Sequence, residues 1–79
     1  MNKPFLEMRS DNHRPQVGTN LRQLRVKAGI TQENLARQVG VTTHTIWRIE
    51  NDPAANPRLK ALQAVAQALG VTISKLLEK

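Results

Sequence analysis

The sequence contains no cysteine. A disulfide scaffold and a cysteine-ligated metal site are excluded together, and the absence fits a reducing compartment such as the cytoplasm. Aromatic residues are almost missing, with Phe5 and Trp47 the only two. That is too few for the stacking platforms on which single-stranded nucleic acids lie. No apolar run approaches the roughly 18 residues that cross a bilayer. The opening stretch MNKPFLEMRSDNHRPQ lacks the apolar core of a signal peptide. Acidic residues are few and scattered. Six Asp and Glu stand against twelve Lys and Arg, a net charge of +6. This surplus favours polyanionic partners, nucleic acid first and an anionic membrane surface second. There is no glycine-rich phosphate loop and no converging Ser, His and acid set, so neither an enzyme nor a cofactor is expected. His13 and His44 have no companions with metal-ligand spacing, so no metal is expected either.

The 79 residues amount to one domain. A chain this short buries only about 60–65% of its unfolded surface. About 3–5 kcal/mol of stability is all such a core is expected to supply. Residues 1–18 carry Pro4, Pro15 and Gly18 among Asn, Asp, His and Arg, with no sustained period. They are expected to form a flexible N-terminal arm. Lys3, Arg9 and Arg14 suit an arm that tethers to a minor groove or to phosphates, although a plain tail fits the same residues. Pro4 to Met8 suits a short strand if a partner offers an edge.

From Thr19 to Lys79 the pattern is helical, and the expected architecture is all-α with five short helices. Leu21, Leu24 and Ala28 mark one face of the first helix, and Gly29 stands where a C-cap glycine belongs. Thr31 reads as an N-cap, with Glu33 in the first turn suiting the helix dipole. Leu35, Ala36 and Val39 then face inward, and Gly40 ends the second helix. Thr42 caps a third helix that buries Ile46 and Ile49 and stops at Asn51-Asp52-Pro53. Asn56-Pro57 reads as the start of a fourth helix, whose face is Leu59, Leu62, Val65, Ala66 and Leu69. Gly70 ends it, and Thr72 opens a last short helix with Ile73, Leu76 and Leu77.

The segment 31–51 carries the strongest signal. A small residue (Ala36) permits close helix crossing. Gly40 permits a sharp turn, and Ile46 and Ile49 supply the inner face of the second helix. The spacing is that of a helix-turn-helix. Here the chain resembles the lambda-repressor-like, or Xre-type, helix-turn-helix family. The resemblance runs from about Asn20 to Leu77. It rests on Leu21-Arg22-Gln23-Leu24-Arg25, Thr31-Gln32, Leu35-Ala36, Gly40-Val41-Thr42, Ile46, Ile49-Glu50-Asn51, Asn56-Pro57, Leu62, Ala66 to Val71, and Leu76-Leu77. Two features depart from the family pattern. The loop between Glu50 and Pro57 is one residue longer, and Trp47 stands where a small or polar residue is usual.

The resemblance implies a recognition helix in the major groove, with Thr43, His44 and Arg48 toward base edges and Trp47 beside them. It also implies that Gln32 lies at a phosphate and that Glu50 pairs with an arginine of the first helix. The helical spacing agrees. With Ile46 and Ile49 inward, the i, i+4 pairs 43/47 and 44/48 project elsewhere. Arg48 can meet both major-groove acceptors of guanine. Thr42, Arg37 and Arg22 complete the expected DNA-binding set. Trp47 has three readings: contact with thymine methyls or sugars, partial core, or a protein contact.

The expected function is a sequence-specific regulator of transcription on double-stranded DNA. It would act as a homodimeric repressor on a palindromic operator, with Leu69, Ile73, Leu76 and Leu77 as the dimer contact. Phage repressors, restriction-modification controllers and antitoxins all fit this description. The alternative is an antitoxin-type or coactivator-like module whose main partner is a toxin or other protein.

Overall fold

The computed structural model describes residues 16–78, and among them it contains five α-helices and no strand. They are α1 (Val17–Lys27), α2 (Gln32–Val39), α3 (Thr43–Asn51), α4 (Leu59–Leu69) and α5 (Ile73–Leu76). Their starts and stops follow from single residues. Thr31 and Thr42 both hold extended backbone, and their hydroxyls accept from the Asn34 amide at 3.0 Å and the Thr45 amide at 3.1 Å. Each satisfies one of the amides that a helix start leaves unpaired.

Three of the stops, those of α1, α2 and α4, share one device. Gly29, Gly40 and Gly70 have φ of 74°, 86° and 71°. The amide of the following residue then reaches back five residues: Ile30 to the Arg25 carbonyl, Val41 to Ala36, and Val71 to Ala66. Each of those following residues is β-branched and half-buried against the core. This is the Schellman arrangement with its hydrophobic contact. At Gly40 the turn between α2 and α3 depends on it, because a left-handed residue with a Cβ costs roughly 1–2 kcal/mol.

Leu21, Leu35, Ala36, Ile46, Ile49, Leu62, Val65, Ala66 and Leu76 form the core. α3 packs on α1 and α2, α4 on α2, and α5 bridges α4 and α1. The two ends of the described chain meet. The Gln16 amide donates to the Glu78 carbonyl at 3.3 Å. The Asn20 side chain donates to the carbonyls of Leu76 (2.9 Å) and Glu78 (2.6 Å).

Four expectations are corrected. α1 starts at Val17, so Val17 and Gly18 belong to the helix rather than to an arm. Val17 has core to pack against, and Gly18 lies under the last carbonyls of α3. α4 starts at Leu59 with Arg58 as its N-cap, not at Asn56-Pro57. The chain must first cross from the end of α3. It turns at Asp52, whose carboxylate accepts from the Ala54 amide at 2.9 Å, and stays non-helical through 55–58. Leu59 is 61% exposed, since the buried stripe begins at Leu62. Leu76 is fully buried, and Leu69 and Ile73 pack against the core, which leaves only Leu77 of the expected dimer contact substantially exposed, at 39%. The rest of the expected arm, with Lys3, Arg9, His13, Arg14 and the Pro4 to Met8 strand, lies outside the described residues.

Candidate nucleic-acid interface

α3 is held from one side only. Ile46 and Ile49 point into the core. Glu50, next to Ile49, carries the polar part of the attachment, and its side chain is only 1% exposed. The Arg25 guanidinium grips it with both prongs, Nε to Oε2 at 2.6 Å and Nη2 to Oε1 at 3.1 Å. The third guanidinium nitrogen, Nη1, donates to the Ile30 carbonyl at 2.8 Å, in the turn that follows α1. Gln32 adds a further hydrogen bond, Nε2 to Glu50 Oε1 at 3.1 Å. One carboxylate therefore ties α3 to α1 and to the first residue of α2. The planar fork of arginine suits this work because it fixes direction as well as charge.

The expected arginine partner of Glu50 is thus Arg25. Gln32 differs from expectation. Its side chain is half-buried and committed in part to Glu50 rather than held free for a phosphate. Replacing Gln32 by alanine should therefore cost stability as well as any DNA contact, by about 0.5–1.5 kcal/mol. A thermal melt of the variant beside the parent measures this, and an unchanged melting temperature would show that the bond contributes nothing.

The opposite side of α3 is open. Thr43, His44, Trp47 and Arg48 are all exposed. The His44 and Trp47 rings stack one turn apart, with centroids 5.8 Å apart and planes 10° from parallel. Arg48 is half-exposed and leans toward Asp52 at 3.5 Å, a solvated contact worth little. Its guanidinium is consequently free to turn outward. Thr42 stands at the edge of this face, but its hydroxyl is occupied by the cap and by a shared hydrogen bond with the Thr45 hydroxyl at 3.0 Å.

Two expected residues lie on other helices. Arg37 is exposed on α2, bonded to Asn34 at 3.0 Å. Arg22 is exposed on α1 and borders a cleft with Val26 and Glu50. Two cations the sequence reading passed over, Arg58 and Lys60, line an open groove of about 500 Å³ together with Arg48. Their only signal in the sequence is their spacing around the start of α4. Among the described residues no group of three His, Cys, Asp or Glu side chains gathers to hold a metal.

Comparison with known proteins shows the family. The helix-turn-helix family model matches residues 21–76. An uncharacterized HTH-type transcriptional regulator of Archaeoglobus fulgidus is 38% identical over 58 residues, covering 73% of this chain and 81% of the relative. SinR, a master regulator for biofilm formation solved in complex with DNA and known from Bacillus subtilis, superimposes with a TM-score of 0.73 at 29% identity. The match spans 78% of this chain and 98% of that one. The restriction-modification controller protein C.AhdI of Aeromonas hydrophila gives a TM-score of 0.73 at 30% identity, over 77% of this chain and 91% of its own.

Proposed function

This chain belongs to the helix-turn-helix family of DNA-binding transcriptional regulators, and from that premise we propose that it reads a specific duplex sequence with α3 in the major groove. It is a regulator rather than an enzyme. The observation that carries the reading is the division of α3. Ile46, Ile49 and Glu50 hold the helix, while Thr43, His44, Trp47 and Arg48 carry no anchoring duty. N-terminal residues of such a helix go deepest into the groove. Arg48, one turn further on, has the fork that matches guanine O6 and N7. The free amides at the start of α2 are suited to a phosphate.

A single nine-residue helix covers too few base pairs for genomic selectivity. We therefore assign the working form as a two-fold dimer on a palindromic operator, with half-sites about 34 Å apart. It acts as a repressor in the cytoplasm. No helix of the described residues is long and apolar enough to cross a membrane. A second reading, a protein partner such as a toxin, is favoured by Val26 and Leu59, exposed at 62% and 61%. The relative SinR has also been solved in complex with the protein SinI.

Selection of bound sequences from a random duplex pool tests the first reading. The parent should enrich a palindrome, and its affinity should fall steeply between two salt concentrations as counterions are released. Arg48→Ala should cost about 1–3 kcal/mol and relax preference at one position per half-site. No enrichment, or a variant that keeps the parent's preference at every position, would overturn the assignment.

A further inference from the structure

We infer that Trp47 reads the C5-methyl group of a thymine in the operator, an assignment that rests on the proposed placement of α3 in the major groove. Trp47 is 48% exposed, on the side of α3 away from Ile46 and Ile49. Tryptophan is a residue type enriched at contact surfaces, where one part of the ring system is apolar and another wet. Its neighbours on that side, Thr43, His44, Arg48 and Asn51, are polar and exposed. They match the hydrogen-bonding groups of base edges. The indole instead offers mainly apolar surface, and the thymine methyl is the one apolar feature that base edges present in the major groove.

The ring is also restrained in advance. It stacks on His44 at 5.8 Å and 10°. A side chain already confined loses less freedom on docking. Its plane is therefore offered to the groove in a fixed setting, backed by imidazole on one side.

Uracil isolates the methyl, because it keeps the O4 acceptor of thymine and lacks only the C5 substituent. The probe is the duplex enriched by the parent protein, with its thymines replaced by uracil one at a time. At one position per half-site the parent should bind about threefold to tenfold more weakly, the range expected for one buried methyl. Cytosine at that position should also be weak, and 5-methylcytosine should recover part of the loss. In Trp47→Ala, whose helical circular dichroism and melting should match the parent, thymine and uracil duplexes should bind alike. The inference fails if uracil is tolerated at every thymine or the enriched site prefers no thymine. It also fails if Trp47→Ala keeps the full methyl effect. In each of those cases site-selective binding through α3 still stands. If no sequence is enriched at all, both the inference and the reading beneath it fall.

Discussion

Replacing Glu50 by alanine is expected to leave the domain largely unfolded at room temperature. The Glu50 carboxylate is 1% exposed and accepts from Arg25 twice and from Gln32 once. Truncation strands the Arg25 guanidinium, whose side chain is 12% exposed and which cannot shed its charge. Breaking one side of such a buried pair costs about 3–5 kcal/mol. That is as much as a core of this size is expected to supply in total. The intact pair need not stabilise strongly by itself, since desolvation offsets much of the attraction. The cost lies in leaving one partner alone. The double variant Arg25→Met with Glu50→Leu should accordingly regain most of the lost stability. Urea melts of the parent, the single variant and the double variant follow both effects. A Glu50→Ala protein that melts with the parent would show that the clamp does not hold α3.

Gly18→Ala is expected to lower the melting temperature by roughly 8–16 °C, as about 2 kcal/mol does in a domain of this size. A Cβ at residue 18 would lie 3.0 Å from the Glu50 carbonyl oxygen and nearer still to that of Ile49. Both are backbone atoms, so no side chain can swing aside. α1 would have to lift from the end of α3. Overpacking of this kind costs about 1–3 kcal/mol, occasionally more. Alanine gains only about 0.5–1 kcal/mol in helix propensity over glycine. The clash therefore wins, and the sign is opposite to that of an ordinary exposed helix glycine. A melt in which Gly18→Ala is neutral or stabilising would mean that α1 does not approach α3 this closely.

Gly18 also shows where the sequence stops being legible. Read along the chain, a glycine after Pro15 signals a loose leader. The contact that requires it comes from carbonyls more than thirty residues away. Local signals were readable because their partners are local. Thr31 and Thr42 cap amides three residues on, and Gly40 and Gly70 close the helices they end. The inward set Leu35, Ala36, Ile46 and Ile49 followed from helical spacing alone. The pairing of Glu50 with the first helix followed from the family resemblance. The family resemblance puts Gln32 at a phosphate, while its bond to Glu50, eighteen residues on, depends on how α2 and α3 cross. The start of α4 was misplaced for a related reason. Asn56-Pro57 satisfies the local rule for a helix start, but the chain needs those residues to span from α3. The burial of Leu76 on a four-residue helix depends on α1 and α4, which pack against that helix from distant parts of the chain.

The one-sided attachment of α3 separates what this protein must keep from what it can change. Ile46, Ile49 and Glu50 are answerable to the rest of the fold. Thr43, His44, Trp47 and Arg48 are answerable only to whatever lies outside it. On the proposed reading, a lineage carrying this helix can drift to a new site by changing outward letters one at a time, without first acquiring a stabilising change elsewhere. The inward letters remain fixed by the same clamp whichever outward letters change. One small scaffold can in this way serve many gene circuits, with divergence confined to a few codons on one side of a nine-residue helix.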